Sequence, residues 1–401
     1  MKIWCVSKYG SPEAYGPSTK LFNTAKGLSK DHSVTLISSN ANPKATYPLS
    51  KKRINVEYFE ELRHVWINLP TYKKSRSLSR FISWLLFDFF LSKVSSRIDE
   101  IPDVIIISSL PITSIRWALK MKKTYGLKVI FEVRDIYPLT MLEMGYSKYN
   151  PLVMFIAYLE KIGYENSDLI IGTMSQLTLH VEKTLGYKKE TFFSPIGLSP
   201  LFRYDNEVLD LELPANKTIV GYVGSLGKAN NLDPLIELVK MNKNNENVHF
   251  LFVGDGEYLN SFKSLDVNNI TLTGFIQPKN VYKALNAIDI LLLSVNPSKV
   301  FEYGQSLNKL KEYLATGKII VANYHGYKED FLVSEGILYS ARNDADSLNQ
   351  TLQKALAISK DKMKILGESN KQIVHEHYNY DSINYYYLTK INELFNLKFP
   401  D

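Results

Sequence analysis

Two successive runs of short apolar segments, separated by helix-like sequence, constrain this chain more than any other feature. The first run is Ile3–Val6, Val34–Ile37, Val56–Phe59, Val65–Leu69, Val104–Ile107, Lys128–Val133, Asp168–Gly172 and Thr191–Phe193. The second is Thr218–Val223, Val248–Val253, Ile270–Thr273, Ile288–Leu293, Lys318–Val321 and Ile337–Tyr339. Segments such as Val104–Ile107 are continuously apolar rather than alternating, as strands buried on both faces of a parallel sheet must be. Strands alternating with helices predict an α/β fold with helices on both faces of the sheet. From Ser199 to Lys217 the pattern lapses into Pro, Asp, Asn and Glu, which reads as a linker. The expectation is two doubly wound domains, 1–198 and 199–379, in keeping with 401 residues. A long, partly apolar helix is expected over His377–Leu397.

Hydrophobic residues at 45% and charged residues at 22% describe an ordinary globular chain. The single cysteine, Cys5, leaves no disulfide framework or cysteine-based zinc site, which fits a reducing, cytoplasmic setting. The apolar run at the start of MKIWCVSKYG is too short for a signal peptide, and no stretch of about 20 apolar residues offers a transmembrane helix. A net charge of +7 favours an acidic partner. Zinc-finger, basic-zipper and RNA-recognition spacings are missing, so nucleic acid is not expected.

Four stretches carry candidate chemistry. In YGQSLNKLKEYLATGKIIV (303–321), a polar loop with Gly304, Ser306 and Asn308 runs into a helix bearing Lys309 and Glu312 on one face. Such an entry can hold an anion on free backbone N–H groups at the positive end of the helix dipole. An ordinary loop–helix–strand unit with a solvated Lys and Glu is the competing reading. The loop Ser7–Lys20, with Gly10, Gly16, Ser18 and Thr19, follows the first strand but matches neither G-x-G-x-x-G nor a P-loop. Arg134-Asp135 directly ends a buried strand, where open α/β sheets bind ligands; a structural ion pair is the alternative there. Finally, Lys73, Lys74, Arg76 and Arg80 precede the aromatic run Phe81–Leu91, with Lys93 and Arg97 beyond. Basic flanks around Trp84, Phe87 and Phe90 suit a helix lying in a membrane headgroup region, against the alternative of a core helix.

Taken in order, these stretches resemble the retaining glycosyltransferases of family 4, and within them the branch serving bacterial O-antigen and capsule polysaccharide. The motifs are the Gly10–Thr19 loop with Gly16, Arg134-Asp135-Ile136-Tyr137-Pro138, Pro195-Ile196-Gly197, Gly224-Ser225-Leu226-Gly227-Lys228, Gly254-Asp255-Gly256, Gly274-Phe275-Ile276 and the block from Tyr303 to Tyr313. The resemblance implies a GT-B fold of two Rossmann-like domains facing a cleft, the first completed by a C-terminal helix over 380–401. It implies donor contacts at Gly16, Gly224, Ser225, Leu226, Lys228, Gly254, Gly274, Phe275, Ile276, Ser306, Leu307, Asn308, Lys309, Leu310 and Glu312, with Glu312 on the ribose hydroxyls. The family often has two glutamates with seven residues between them. Here the first position is Gly304, and Glu302 stands nearby out of register.

The chemistry so implied moves a sugar from a nucleotide-sugar, UDP more than GDP, to a lipid-linked saccharide, with retention and no metal or other cofactor. Lys309 and Lys228 would meet the charge developing on the departing diphosphate. Asp135 would contact the acceptor hydroxyl and Arg134 orient a phosphate. A lipid-linked acceptor implies a cytoplasmic protein held peripherally on the inner leaflet of the cytoplasmic membrane. Two alternatives stay open: a nucleotide-sugar 2-epimerase of the same fold, and an inactive homologue serving as an assembly subunit.

Overall fold

The computed structural model describes residues 1–16, 19–72, 78–96, 100–202, 207–305, 307–329 and 332–396. The chain separates into two compact units, Met1–Ile196 with Tyr380–Asp401, and Gly197–Asn379.

The first unit is built on eight strands: β1 (Lys2–Val6), β2 (Ser33–Ser39), β3 (Ile54–Phe59), β4 (Leu62–Ile67), β5 (Val104–Ser108), β6 (Lys128–Val133), β7 (Leu169–Gly172) and β8 (Phe192–Phe193). Their order across the sheet is β3-β4-β2-β1-β5-β6-β7-β8. All neighbours are parallel except β3 and β4, a hairpin at one edge. β1, β5 and β6 are buried almost throughout, as their unbroken apolar sequence requires. Strand order reverses between β1 and β5, which opens a crevice at their carboxyl ends.

The helix Tyr380–Leu394 belongs to this unit: Tyr387 and Ile391 are buried with Ile3, Leu21 and Ile130. Beside Tyr387 lies a buried ion pair, Lys20 Nζ to Glu132 Oε1 at 2.7 Å, with neither side chain exposed. The Lys20 amine is 5.0 Å from the Tyr387 ring centroid. The single long helix expected over His377–Leu397 is in fact two: Lys360–His377 ends as Tyr378 leaves helical geometry, and the next begins at Tyr380. The break falls where the chain passes from the second unit back to the first.

The aromatic run forms the helix Leu78–Ser95, and here the burial corrects the membrane assignment. Phe87 is fully buried, and Trp84 is buried with its indole N–H donating to Tyr9 Oη at 2.9 Å. Neither can face a bilayer. Phe90 is half-buried, its ring centroid 4.9 Å from the Arg53 guanidinium carbon. The apolar residues that do face outward are Leu78, Ile82, Leu85 and Phe89, spaced along one helical stripe. Lys73, Lys74, Arg76 and Arg97 lie outside the described residues. No described helix is long and apolar enough to cross a membrane.

The second unit has six parallel strands: β9 (Thr218–Val223), β10 (Val248–Val253), β11 (Ile270–Gly274), β12 (Ile290–Ser294), β13 (Ile319–Asn323) and β14 (Ile337–Tyr339). Their order is β11-β10-β9-β12-β13-β14, the doubly wound dinucleotide-type order, with its reversal between β9 and β12. Two apolar layers cover the sheet's faces. One includes Leu251, Leu291, Leu310 and Tyr313; the other includes Val220, Phe250, Phe252 and Leu352.

Candidate functional site

In the second unit, the carboxyl ends of β9, β10 and β11 and the start of the helix Asn308–Ala315 converge. β9 runs out into Gly224-Ser225-Leu226-Gly227-Lys228. The amide of Gly224 donates to Val253 O (2.9 Å), that of Leu226 to Asp255 O (2.9 Å) and that of Gly254 to Gly274 O (3.0 Å). The turns after the three strands are therefore laced together. Gly224 and Gly254 sit at φ +148° and +142°, a region that favours glycine. A Cβ on Gly254 would fall 1.9 Å from Gly224 O, and one on Gly224 would fall 2.3 Å from Lys309 Cε. Only glycine lets the Lys309 side chain lie across this loop.

The Lys309 amine donates to Tyr222 Oη and, at 2.6 Å, to Asn230 Oδ1, and it stands 4.5 Å from the Tyr222 ring centroid. Burial lowers its pKa to about 8, against the pull of the Glu312 carboxylate. One turn on, burial raises the Glu312 pKa, opposed by Lys311 and Lys309. Glu312 has no hydrogen-bond partner among the described residues. The helix has Leu307 at its N-cap with no side-chain cap, so its first-turn N–H groups keep their capacity for an anion. The result is a backbone cradle, one fixed cation and one unengaged carboxyl group.

Not every residue assigned here by sequence offers itself to a ligand. Leu226 and Leu310 are buried core side chains, and the Leu226 backbone is occupied on both sides, by Asp255 O and the Tyr258 amide. They hold the loop and helix in place. Leu307 packs on the same core, and its amide bonds Gln305 Oε1 at 2.8 Å. Lys228 is exposed, with Nζ 3.4 Å from Glu257 Oε2, so it is not part of the buried charge. Ser225 is exposed on the loop, Asn308 is exposed at the helix start, and Ile276 packs against the core. Gly274 adopts φ +71° with open space beside it, and Phe275 is 72% exposed. Ser306 lies outside the described residues. Glu302 is exposed in the turn Lys299–Tyr303, while Gly304 is buried at φ +107°.

In the first unit, the crevice between β1 and β5 is bridged by Ser7 Oγ donating to Leu110 O at 3.1 Å. Ser109 Oγ accepts the Arg134 amide at 3.0 Å and the Asp135 amide at 3.4 Å, which fixes the end of β6. Arg134 Nε is buried without a partner, an orphan donor of the kind a ligand oxygen would satisfy. Burial raises the Asp135 pKa, with Arg134 and Arg80 pulling it down. Gly16 sits at φ +155°, where an added Cβ would fall 2.6 Å from Lys44 O; Pro17 and Ser18 lie outside the described residues.

Sequence reading missed the neighbours of this pair. Lys8, fully buried just past β1, donates to Ala41 O and lies 4.4 Å from the Tyr9 and 4.8 Å from the Tyr72 ring centroids. Burial and Arg80 bring its pKa down to about 7. Tyr9 Oη meets Tyr72 Oη at 2.8 Å and Arg80 Nε at 3.3 Å. These residues come from separate segments with no shared spacing. Tyr222 and Asn230 were missed in the second unit, although a tyrosine near the end of an apolar strand was a usable signal.

Each unit thus places its cations and polar groups at the carboxyl ends of a doubly wound sheet, which together define the GT-B class of fold. Residues 217–357 match the family model described as glycosyl transferases group 1. Over its whole length the chain is similar in fold to the sucrose-phosphate synthase of Thermosynechococcus elongatus, at 17% identity and TM-score 0.73, covering 99% of each chain. It is similar also to the trehalose-6-phosphate protein of E. coli bound with UDP-2-fluoro glucose, at 12% identity and TM-score 0.72, covering 98% of this chain and 99% of that one. A third is Anabaena HepE in complex with UDP-glucose, at 14% identity and TM-score 0.62, covering 98% of this chain and all of the other. A search of curated proteins finds no match. Among the described residues, no group of three or more His, Cys, Asp or Glu could hold a metal ion.

Proposed function

We propose that this protein is a glycosyltransferase whose second unit binds a nucleotide-sugar and whose first unit binds the acceptor. The observation that carries the reading is Lys309 laid across Gly224, beside the uncapped helix start and one turn from the unengaged Glu312. Departure of a nucleoside diphosphate builds negative charge, and a preoriented cation with backbone N–H groups stabilises it in a poorly solvated site. Glu312 takes the ribose hydroxyls as a hydrogen-bond acceptor. The UDP-sugar complexes of proteins similar in fold favour UDP as the donor's nucleotide. The transfer retains configuration without a metal: the leaving phosphate takes the acceptor proton, Arg134 orients a phosphate of the lipid-linked acceptor, and Asp135 contacts the acceptor hydroxyl. Calorimetry with a panel of UDP- and GDP-sugars, followed by product analysis, tests this. Binding of a UDP-sugar that Lys309→Ala weakens is expected; equal binding by wild type and variant would overturn the donor site.

The acceptor we favour is a lipid-linked saccharide of surface polysaccharide synthesis, with the protein peripheral on the inner leaflet. The supporting feature is the exposed stripe Leu78, Ile82, Leu85 and Phe89, with Lys93 on the same helix. Flotation with anionic vesicles should fall for Leu85→Ser with Phe89→Ser and not for Phe90→Ser. Unchanged flotation of the double variant removes the membrane reading.

A further inference from the structure

The amino ends of the second unit's strands, away from the site just described, surround a hollow of about 690 Å³. Lys217, Lys318, Lys360 and Lys364 line it, with Asp289 as the only carboxylate. Asp289 is already engaged, its Oδ2 accepting the Ile219 amide at 2.8 Å. None of the four lysines forms an ion pair with a described residue. They come from three places: the start of β9, the turn before β13, and the first turns of the helix Lys360–His377. That 18-residue helix is capped by Ser359, which also lines the hollow and whose side chain accepts the Lys362 amide. Four lysines around one concave space, against the single carboxylate of Asp289, leave the lining with an excess of positive charge and a focused positive potential. Burial lowers the Lys318 pKa, with Asp289 pulling it up and the nearby Lys371 pushing it further down, so an anion arriving there is met by a group that gains from pairing.

From this arrangement we infer that the hollow is a second anion site, taking a phosphate group and separate from the donor site. It has a physical route to that site. The helix Asn308–Ala315 begins with Asn308 and Lys309 at the donor end and runs out into Thr316, Gly317 and Lys318, all three in the wall of the hollow. Eight residues at about 1.5 Å each separate the two ends by roughly 12 Å. An occupant of the hollow therefore abuts the helix that carries Lys309 and Glu312.

The phosphate could belong to a free phosphorylated compound or to a lipid headgroup, and two arms separate these sources. In the first, inorganic phosphate is titrated by calorimetry into the full chain saturated with UDP. In the second, flotation compares phosphatidylglycerol with phosphatidylcholine vesicles. Both arms are run on wild type, on Lys309→Ala and on the double variant Lys360→Glu with Lys364→Glu, whose sites are exposed and tolerate the exchange. Binding that survives Lys309→Ala and falls about ten-fold or more in the double variant, about 1.4 kcal/mol, is the expected result. Seen in the first arm it identifies a free phosphate compound, and seen only in the second a headgroup. If neither arm depends on Lys360 and Lys364, or if phosphate binding vanishes with Lys309→Ala, the second site does not exist. Because Lys309→Ala addresses the donor site alone, failure here leaves the donor reading standing.

Discussion

The two units end their sheets in chemically different ways. In the second, the backbone does most of the work: Gly224, Gly254 and Gly274 bring three turns within hydrogen-bonding reach, and a single lysine crosses the first of them at Gly224. In the first, side chains do it. Lys8, Tyr9, Tyr72, Arg80 and Trp84 form a cation–aromatic cluster at the end of β1, and Arg134 and Asp135 occupy the end of β6. A backbone cradle suits a ligand part that never varies, such as a diphosphate, because amides cannot be exchanged by mutation. A side-chain wall suits a part that differs between related proteins, such as an acceptor.

The contrast extends to the cores, and the largest predicted effect lies there. Lys20–Glu132 is fully buried, whereas no described ion pair in the second unit is. Glu132→Ala leaves a buried cation unpaired and should cost about 3–5 kcal/mol, read as a lowered urea midpoint for the first unit's transition. A midpoint within error of wild type would show that the pair is dispensable, and that the two cores are more alike than their charges suggest.

A smaller effect sharpens the comparison through pH. The free Lys309 amine titrates near 8, so the cation is present below that pH and lost above it. A bound diphosphate favours the charged form and raises this pKa. UDP affinity should then be flat below pH 8 and weaken above it, by up to about ten-fold per pH unit, in calorimetry across pH 7 to 10. Lys309→Ala should abolish this alkaline arm while leaving the residual affinity flat. An arm that persists in the variant would assign it to another group.

The sheets were legible because buried parallel strands must be continuously apolar, and the expected segments differ from the observed strands only at their ends. The donor loop was legible because its glycines and Lys309 lie in short contiguous motifs. What escaped was assembled across the chain. The Tyr9–Tyr72–Arg80–Trp84 cluster joins three segments whose spacing carries no signal, and Trp84 and Phe87 read as interfacial because composition does not reveal which side of a helix is covered. Leu226 and Leu310 match a family pattern yet serve the core, since a motif records position and not the direction of a side chain.

The division of labour between the two units is the central claim, and UDP affinity tests it most directly. Calorimetry of wild type, Gly254→Val, Lys309→Ala and Arg134→Ala should show UDP binding severely weakened by the first two substitutions and unchanged by the third. Gly254→Val places a side chain where Gly224 O already lies. If Arg134→Ala weakens UDP as much as Lys309→Ala, or if Gly254→Val leaves it intact, the donor is not held by the second unit's glycine cradle and the account is wrong.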